Sequence, residues 1–103
     1  MDTLTVVDNP SESRFEARAD DGAVVGYVSY DGQAGGPGVV VVIHTIVEPA
    51  FEGQGVGGRL VRGTLDLIRA SGRTVVPLCP FVSAYLRRHP DYQDLVAPDS
   101  EQR

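Results

Sequence analysis

Residues 39–60 read VVVVIHTIVEPAFEGQGVGGRL, and this stretch indicates the architecture of the whole domain. Its β-branched run is typical of a central strand that is covered on both faces. Glycines then open a segment with helical apolar spacing, so the stretch predicts a strand, a short loop and a helix. Backbone N–H groups at such a turn converge on an anion, and the positive end of the helix dipole favours negative charge. The turn therefore predicts a site for a phosphate-bearing cofactor.

The rest of the chain predicts a small α/β domain around this unit. An antiparallel hairpin is expected first, with strands at 14–19 and 24–30 joined by the Asp-Gly turn at 20–22. The later elements follow from apolar spacing and from the prolines: a central strand at 39–47, a helix at 55–70, a parallel strand at 74–78 and a helix from Pro80 to His89. The whole chain, 1–103, is thus predicted to be one domain with its core in about 13–96 and a disordered tail at 97–103.

The amino-acid composition limits the kinds of partner that the chain is expected to bind. The chain has 9 basic residues, all of them arginine, against 14 acidic ones, and its net charge of −5 makes it a poor candidate for nucleic-acid binding. No apolar run is long enough to cross a bilayer, and the first residues lack the features of a signal peptide, so we expect no membrane binding and a cytoplasmic location. The single cysteine, Cys79, fits a reducing compartment and leaves no multi-cysteine metal site.

The glycine turn admits three interpretations. Gly53, Gly55 and Gly58 satisfy the G-x-G-x-x-G spacing of a dinucleotide-binding fold, but five residues separate them from the strand, and the expected acidic residue is absent from 74–79. A P-loop is excluded because no Lys-Ser or Lys-Thr follows the glycines. On the glycines alone, a connection without any ligand remains open.

The segment Glu52-Gly53-Gln54-Gly55-Val56-Gly57 resembles the acyl-coenzyme A loop of the GNAT superfamily of N-acetyltransferases, whose pattern is Arg/Gln-x-x-Gly-x-Gly/Ala at a strand-to-helix junction. His44-Thr45 and the segment VVPLCPFVSAYLRRHPDY at 75–92 extend the resemblance to the compact branch of that superfamily, over about 13–96. The resemblance implies a minimal GNAT fold, with an antiparallel hairpin, central strands that include a splayed parallel pair, and two helices. One departure is Glu52, which stands where the pattern usually has Arg or Gln, because a carboxylate repels a pyrophosphate.

The resemblance also implies acetyl-coenzyme A as the cofactor. Backbone amides from Gln54 to Gly58 would hold the pyrophosphate, Arg59 would neutralise part of its charge, and Arg87 or Arg88 would reach the 3′-phosphate. The pantetheine arm would lie between strands that splay apart near Val47 and Leu78. The implied cofactor-binding residues are therefore Thr45, Ile46, Val47, Gln54, Gly55, Val56, Gly57, Gly58, Arg59, Cys79 and Arg87.

Three residues are candidate catalytic groups, and each has a structural alternative. His44 interrupts an apolar run and is a candidate general base, since imidazole exchanges protons near neutral pH; the alternative is a hydrogen-bonded core histidine. Cys79 directly precedes a helix N-terminus, which stabilises a thiolate, so it is a candidate nucleophile or transient acyl acceptor; the alternative is inert packing. The resemblance assigns Tyr85 as the acid that protonates the leaving thiolate, and the alternative is core packing.

The sequence therefore predicts an acetyl-coenzyme A-dependent N-acetyltransferase that acts on a small-molecule or protein amine. A non-catalytic acyl-coenzyme A-binding module is one alternative, and it predicts binding without turnover. Acyl transfer or thioester hydrolysis by Cys79 with His44 is another, and it predicts release of coenzyme A without an amine. An interaction protein with no small ligand would bind no cofactor. The loop at 31–38 is compatible with a substrate lid or with a spacer.

Overall fold

The computed structural model describes residues 3–98, which form one five-stranded sheet with two helices. The strands lie side by side in chain order, and β1 to β4 are antiparallel, whereas β5 runs parallel to β4. The elements are β1 (Thr5–Asn9), β2 (Arg14–Arg18), β3 (Val24–Asp31), β4 (Val39–Val47), α1 (Val56–Ala70), β5 (Thr74–Pro77) and α2 (Pro80–Arg88), with short 3₁₀ turns at Pro10–Glu12, Pro49–Phe51 and Pro90–Leu95. The predicted hairpin, parallel pair and two helices are confirmed.

Helix α1 packs on one face of the sheet and forms the core with it. Its apolar residues recur at helical spacing, so they share one stripe toward the sheet. This stripe is buried and consists of Val56, Leu60, Val61, Leu65 and Ile68. We call the opposite side of the sheet the outer face. Within residues 3–98, no helix is both long and apolar enough to span a lipid bilayer.

Strand β1 is the element that the sequence analysis missed, since it precedes the hairpin expected to come first. It pairs with β2 from Thr5 opposite Arg18 to Asn9 opposite Arg14. Its inner side packs on α1 so closely that a Cβ on Gly63 would lie 2.5 Å from Val6 Cγ2. The segment carries weak strand formers at its end, and tertiary pairing and packing therefore decide its conformation.

The chain end is ordered further than expected. Ala97, predicted to lie in a disordered tail, is buried, and its N–H donates to the Val75 carbonyl at 2.8 Å. The preceding turn is fixed by the Tyr92 hydroxyl, which donates to Asp66 Oδ1 at 2.6 Å. The prediction is therefore wrong at residue 97, because long-range hydrogen bonds hold the segment. Residues 99–103 of the predicted tail lie outside the described residues.

A β-bulge in β4 determines which side chains reach each face of the sheet. Ser29 pairs with His44 and Tyr30 pairs with Val42, so Ile43 is an extra residue in β4. Side chains alternate along a strand, and an inserted residue reverses that alternation. Val42 before the bulge is buried in the core, whereas after it Thr45 faces the helix side and His44 is exposed on the outer face.

Candidate functional site

Strands β4 and β5 form a fork. Their parallel pairing runs from Val39 opposite Thr74 to Val42 opposite Pro77 and ends there. The N–H groups of Leu78 and Cys79 both donate to the Val42 carbonyl, at 3.1 and 3.2 Å, and the chain then turns into α2. Among residues 3–98, positions 43–47 have no partner strand on the β5 side, so their backbone edge is open.

The glycine turn presents backbone N–H groups at the mouth of this fork. Gly55 is the N-cap of α1, with φ of 79°, a left-handed conformation that glycine adopts without strain. The first intrahelical bond is from the Arg59 N–H to the Gly55 carbonyl, at 3.2 Å. The N–H groups of Val56, Gly57 and Gly58 therefore have no carbonyl partner inside the helix, and they converge at its positive end.

A cavity of about 390 Å³ lies between the fork and the turn. A Cβ on Gly58 would meet nothing within 4 Å, so there is open space next to the first helical turn. A Cβ on Gly57 would lie 2.8 Å from Phe81 Cζ, which makes the Phe81 ring a wall of the site. The lining residues are Thr45, Val47, Phe51, Glu52, Gly53, Gly55, Val56, Gly57, Gly58 and Phe81. Open space and unbonded N–H groups together fit a phosphate.

The charge of this lining is negative. Glu52 is its one charged residue, and it is exposed. Arg59 lines a different groove of about 380 Å³, between β1 and α1, together with Arg62. The structure therefore does not bring Arg59 to the cavity, and the attraction for an anion comes from the helix N-terminus. The side chain of Gln54 also lies outside the lining, and its Nε2 donates to the Ala50 carbonyl at 3.5 Å.

Thr45 and Cys79 are brought together at the fork. Cys79 is the N-cap of α2 and is buried, and its Sγ lies 3.3 Å from Thr45 Oγ1. Because Thr45 also lines the cavity, its hydroxyl connects the thiol to that space. Ile46 is on the other side of β4, where 43 % of its surface is exposed. Of the predicted cofactor-binding residues Thr45, Ile46 and Cys79, Thr45 and Cys79 therefore share the inner side.

His44 is exposed on the outer face and is not the core histidine of the alternative interpretation. Its backbone N–H donates to Ser29 Oγ at 3.2 Å. Since neighbouring side chains of a strand point to opposite faces, its imidazole and the Thr45 hydroxyl lie on opposite sides of β4. Among residues 3–98, the open fork connects those two sides at this point of the strand.

The predicted residues of α2 lie apart from the cavity lining. Tyr85 is buried, its ring stacks on His89 with centroids 4.0 Å apart, and burial raises the pKa of its phenol. Arg87 is exposed, and its Nη1 donates to Ser83 Oγ at 3.3 Å. Arg88 is exposed on the same helix. None of the three belongs to the lining.

Sequence reasoning missed two groups of residues near the fork. Phe51 and Phe81 line the cavity. In the sequence, only their positions pointed to this role, since Phe51 precedes the glycine turn and Phe81 follows Cys79. The second group lies on the outer face, where Arg14 Nε and Arg18 Nη2 each lie 2.7 Å from a Glu16 carboxylate oxygen. The period of two in RFEAR places these three side chains on one face.

Glu16 is 2 % exposed. Burial raises the pKa of this carboxyl, but hydrogen bonds from Arg18, Arg14 and Asn9 outweigh burial and lower the pKa to about 2.

Three comparisons with known proteins bear on this site. A family profile described as GCN5-related N-acetyl-transferase matches residues 14–95. A solution structure of a GCN5-like protein from Staphylococcus aureus shares the fold, with a TM-score of 0.66 and 23 % identity, over 94 % of this chain and 91 % of that one. The crystal structure of the GNAT family N-acetyltransferase YhbS from Escherichia coli, in complex with CoA, gives a TM-score of 0.51 and 31 % identity, over 62 % of this chain and 38 % of that one. No curated protein matches the sequence.

Proposed function

Because this chain belongs to the GCN5-related N-acetyltransferase family, matching it over residues 14–95, we propose that it transfers an acetyl group from acetyl-coenzyme A to an amine. The family match confirms the resemblance to GNAT N-acetyltransferases that the sequence of the glycine turn indicated. The observation that carries the proposal is the cavity at the fork, where the first-turn N–H groups of α1 adjoin the open space at Gly58, beside Thr45. This cavity supplies a site for a phosphate group next to an open strand edge.

The binding roles follow the geometry. The N–H groups of Val56, Gly57 and Gly58 bind the pyrophosphate, and the unpaired edge at 43–47 offers peptide groups to the amides of the pantetheine arm. Arg87 is the candidate for the 3′-phosphate, since it is exposed at the end of α2. Arg59 takes no part, because it lines the groove against β1.

The catalytic roles divide between the two sides of β4. Acetyl-coenzyme A supplies an activated thioester, and transfer exchanges its C–S bond for the C–N bond of an amide. The amine must lose a proton, and His44 on the outer face accepts it directly or through one water. Thr45 and Cys79 adjoin the reacting sulfur from the inner side, since their side chains meet at the fork.

The Cys79-dependent alternative gains no support from this arrangement. A thiol is activated by direct contact with its base, as in a cysteine–histidine pair. Here the Cys79 Sγ contacts the Thr45 hydroxyl, and the His44 side chain lies on the opposite face of the strand. The placement favours transfer directly to the amine over an acyl-cysteine.

Calorimetric titration with acetyl-coenzyme A tests the proposal, with NAD and 3′-dephospho-coenzyme A as comparators. We expect binding of acetyl-coenzyme A, weaker binding of the dephospho form and none of NAD. Absence of any binding contradicts the proposal, and binding without acetylation of any amine in a panel favours the non-catalytic module. Release of coenzyme A without an amine favours thioester hydrolysis.

Two variants then test the catalytic roles. His44→Gln should bind acetyl-coenzyme A like the parent protein, since His44 lies outside the cavity lining, and should lose about 10²- to 10⁴-fold in turnover. Cys79→Ala should keep turnover, and intact-mass analysis of the parent protein should find no acetyl adduct. An adduct on Cys79, together with an inactive alanine variant, would overturn the direct transfer.

A further inference from the structure

Two rows of side chains cross the outer face of the sheet next to His44. In the first row, Arg14 on β2 pairs with Ser29 on β3, which pairs with His44 on β4. In the second row, Tyr27 lies between Glu16 and Ile46. Neighbouring strands are about 4.8 Å apart, so the backbones of Arg14 and His44 are about 10 Å apart across the sheet. The rows make a continuous surface that ends at the fork.

The far end of this surface carries positive charge. Two guanidinium groups, those of Arg14 and Arg18, surround the single carboxylate of Glu16. Among the hydrogen bonds of residues 3–98, Arg18 uses both Nε and Nη2, whereas Arg14 uses Nε alone. The side chain of Arg14 is 28 % exposed, and neither of its terminal nitrogens takes part in these hydrogen bonds. Their fixed geometry matches the two oxygens of a carboxylate.

The part of the surface between Arg14 and the fork carries exposed apolar side chains beside the polar Ser29 and His44. The Arg14 guanidinium lies over the Tyr27 ring, 4.5 Å from its centroid, and so leans toward the second row. Ile46 in that row is 43 % exposed, and Leu78 at the end of the fork is 59 % exposed. Exposed apolar side chains at such an opening favour an apolar ligand segment.

We propose that this outer face binds the acceptor, and that the acceptor is a small amine that also carries a carboxylate. The amine lies at His44, an apolar chain covers Ile46 and Tyr27, and the carboxylate binds Arg14. This assignment rests on the proposed function, since it concerns the acceptor of the same reaction. Glu12 acts against binding of this carboxylate. The pKa of Arg14 is raised mainly by its hydrogen bond with Glu16 and further by the charge of the exposed Glu12. Glu12 therefore competes with the ligand carboxylate for Arg14.

The test compares acetylation of 6-aminohexanoate with that of hexylamine. In its extended form 6-aminohexanoate spans about 8 Å from nitrogen to carboxylate, which is within the roughly 10 Å between the backbones of His44 and Arg14. We expect kcat/KM to be about tenfold higher for the amino acid than for hexylamine. Arg14→Gln should bring this ratio close to one by raising KM for the amino acid, and Glu12→Gln should increase it.

Arg18→Gln is the matched control. It also removes one partner of Glu16, but Arg18 lies four residues further along β2, opposite Val24 and away from the row of His44. The ratio should therefore persist in Arg18→Gln, with a loss of thermal stability similar to that of Arg14→Gln. Equal kcat/KM for the two amines, or equal effects of the two arginine variants on the ratio, overturns the acceptor assignment.

Coenzyme A titration separates this inference from the proposed function. If coenzyme A binds and both amines are acetylated equally, the acceptor assignment fails and the proposed function stands. If coenzyme A does not bind and neither amine is acetylated, the proposed function fails, and the acceptor assignment fails with it.

Discussion

Replacing Gly58 by alanine separates the stability of this protein from its cofactor binding. Gly58 lies inside α1, and a Cβ there would meet nothing within 4 Å. Alanine is about 0.5–1 kcal/mol more favourable than glycine in a helix. Gly58→Ala should therefore raise the free energy of unfolding by that amount, which corresponds to about 2–8 °C in Tm for a domain of this size.

The same methyl group enters the space that the proposed pyrophosphate needs. Gly58 lines the cavity at the first helical turn, so the added carbon lies beside the N–H groups that are proposed to bind the phosphate. Overpacking of a filled site costs about 1–3 kcal/mol, which corresponds to about 5- to 150-fold weaker binding of coenzyme A. Thermal unfolding and calorimetric titration of one preparation measure both effects.

Gly63→Ala is the matched control in the same helix. Its Cβ would lie 2.5 Å from Val6 Cγ2, and Gly63 lines the groove against β1 and not the cavity. We expect it to lose about 1–3 kcal/mol of stability and to bind coenzyme A with parental affinity. If Gly58→Ala binds coenzyme A as tightly as the parent protein does, the pyrophosphate does not lie at this helix N-terminus, and the assignment of the cavity is wrong.

Three further predictions follow from the charges and the packing. Glu52→Gln should tighten coenzyme A binding about two- to fivefold at low ionic strength and have little effect in 1 M salt, because it removes a repulsive carboxylate from the cavity lining; unchanged calorimetric affinity at low salt contradicts this. The pKa of Glu16 is about 2 against an ordinary 4.5, so its ionised form contributes about 3 kcal/mol of stability above pH 4.5, and this contribution is lost as the pH falls toward 2. Urea unfolding between pH 2 and 6 should show that dependence, and Glu16→Gln should remove it; an unaltered pH dependence in the variant would exclude Glu16 as its source. Tyr85→Phe should keep turnover within about twofold, since the stacked ring is retained, whereas a loss of tenfold or more in initial rate would establish Tyr85 as a general acid.

The sequence predicted those helices and strands that a short stretch of neighbouring residues determines. The apolar stripe of α1, the β-branched run of β4 and the prolines around α2 each determine one element, and all are found close to the expected bounds. The strand at 5–9 and the ordered Ala97 were missed because both depend on distant partners: Gly63 makes room for Val6, and the Val75 carbonyl accepts the Ala97 N–H. Such contacts leave no periodic signal in a single sequence.

The structure places some of the predicted site residues elsewhere than their order in the sequence suggested. The glycines at the start of a helix made a group of free first-turn N–H groups predictable. Arg59 was predicted to neutralise the pyrophosphate beside them because it follows the glycines in the sequence. Its stripe on α1 continues through Arg62 and Gly63, at helical spacing, and faces β1. Applying the period of α1 to Arg59 separates it from the glycine turn, so its place beside β1 could have been predicted from the sequence.

The position of His44 was not predictable in the same way, because it depends on a single inserted residue. In a regular ladder, His44 would point to the same side as Val42, into the core. The bulge at Ile43 reverses the alternation, so that Thr45 reaches the cavity and His44 reaches the outer face. Consecutive residues of one strand thereby serve the two sides of the sheet. Under the proposed function, the cofactor and the acceptor approach β4 from opposite faces, and they can meet only where β5 has left it, just past Val42.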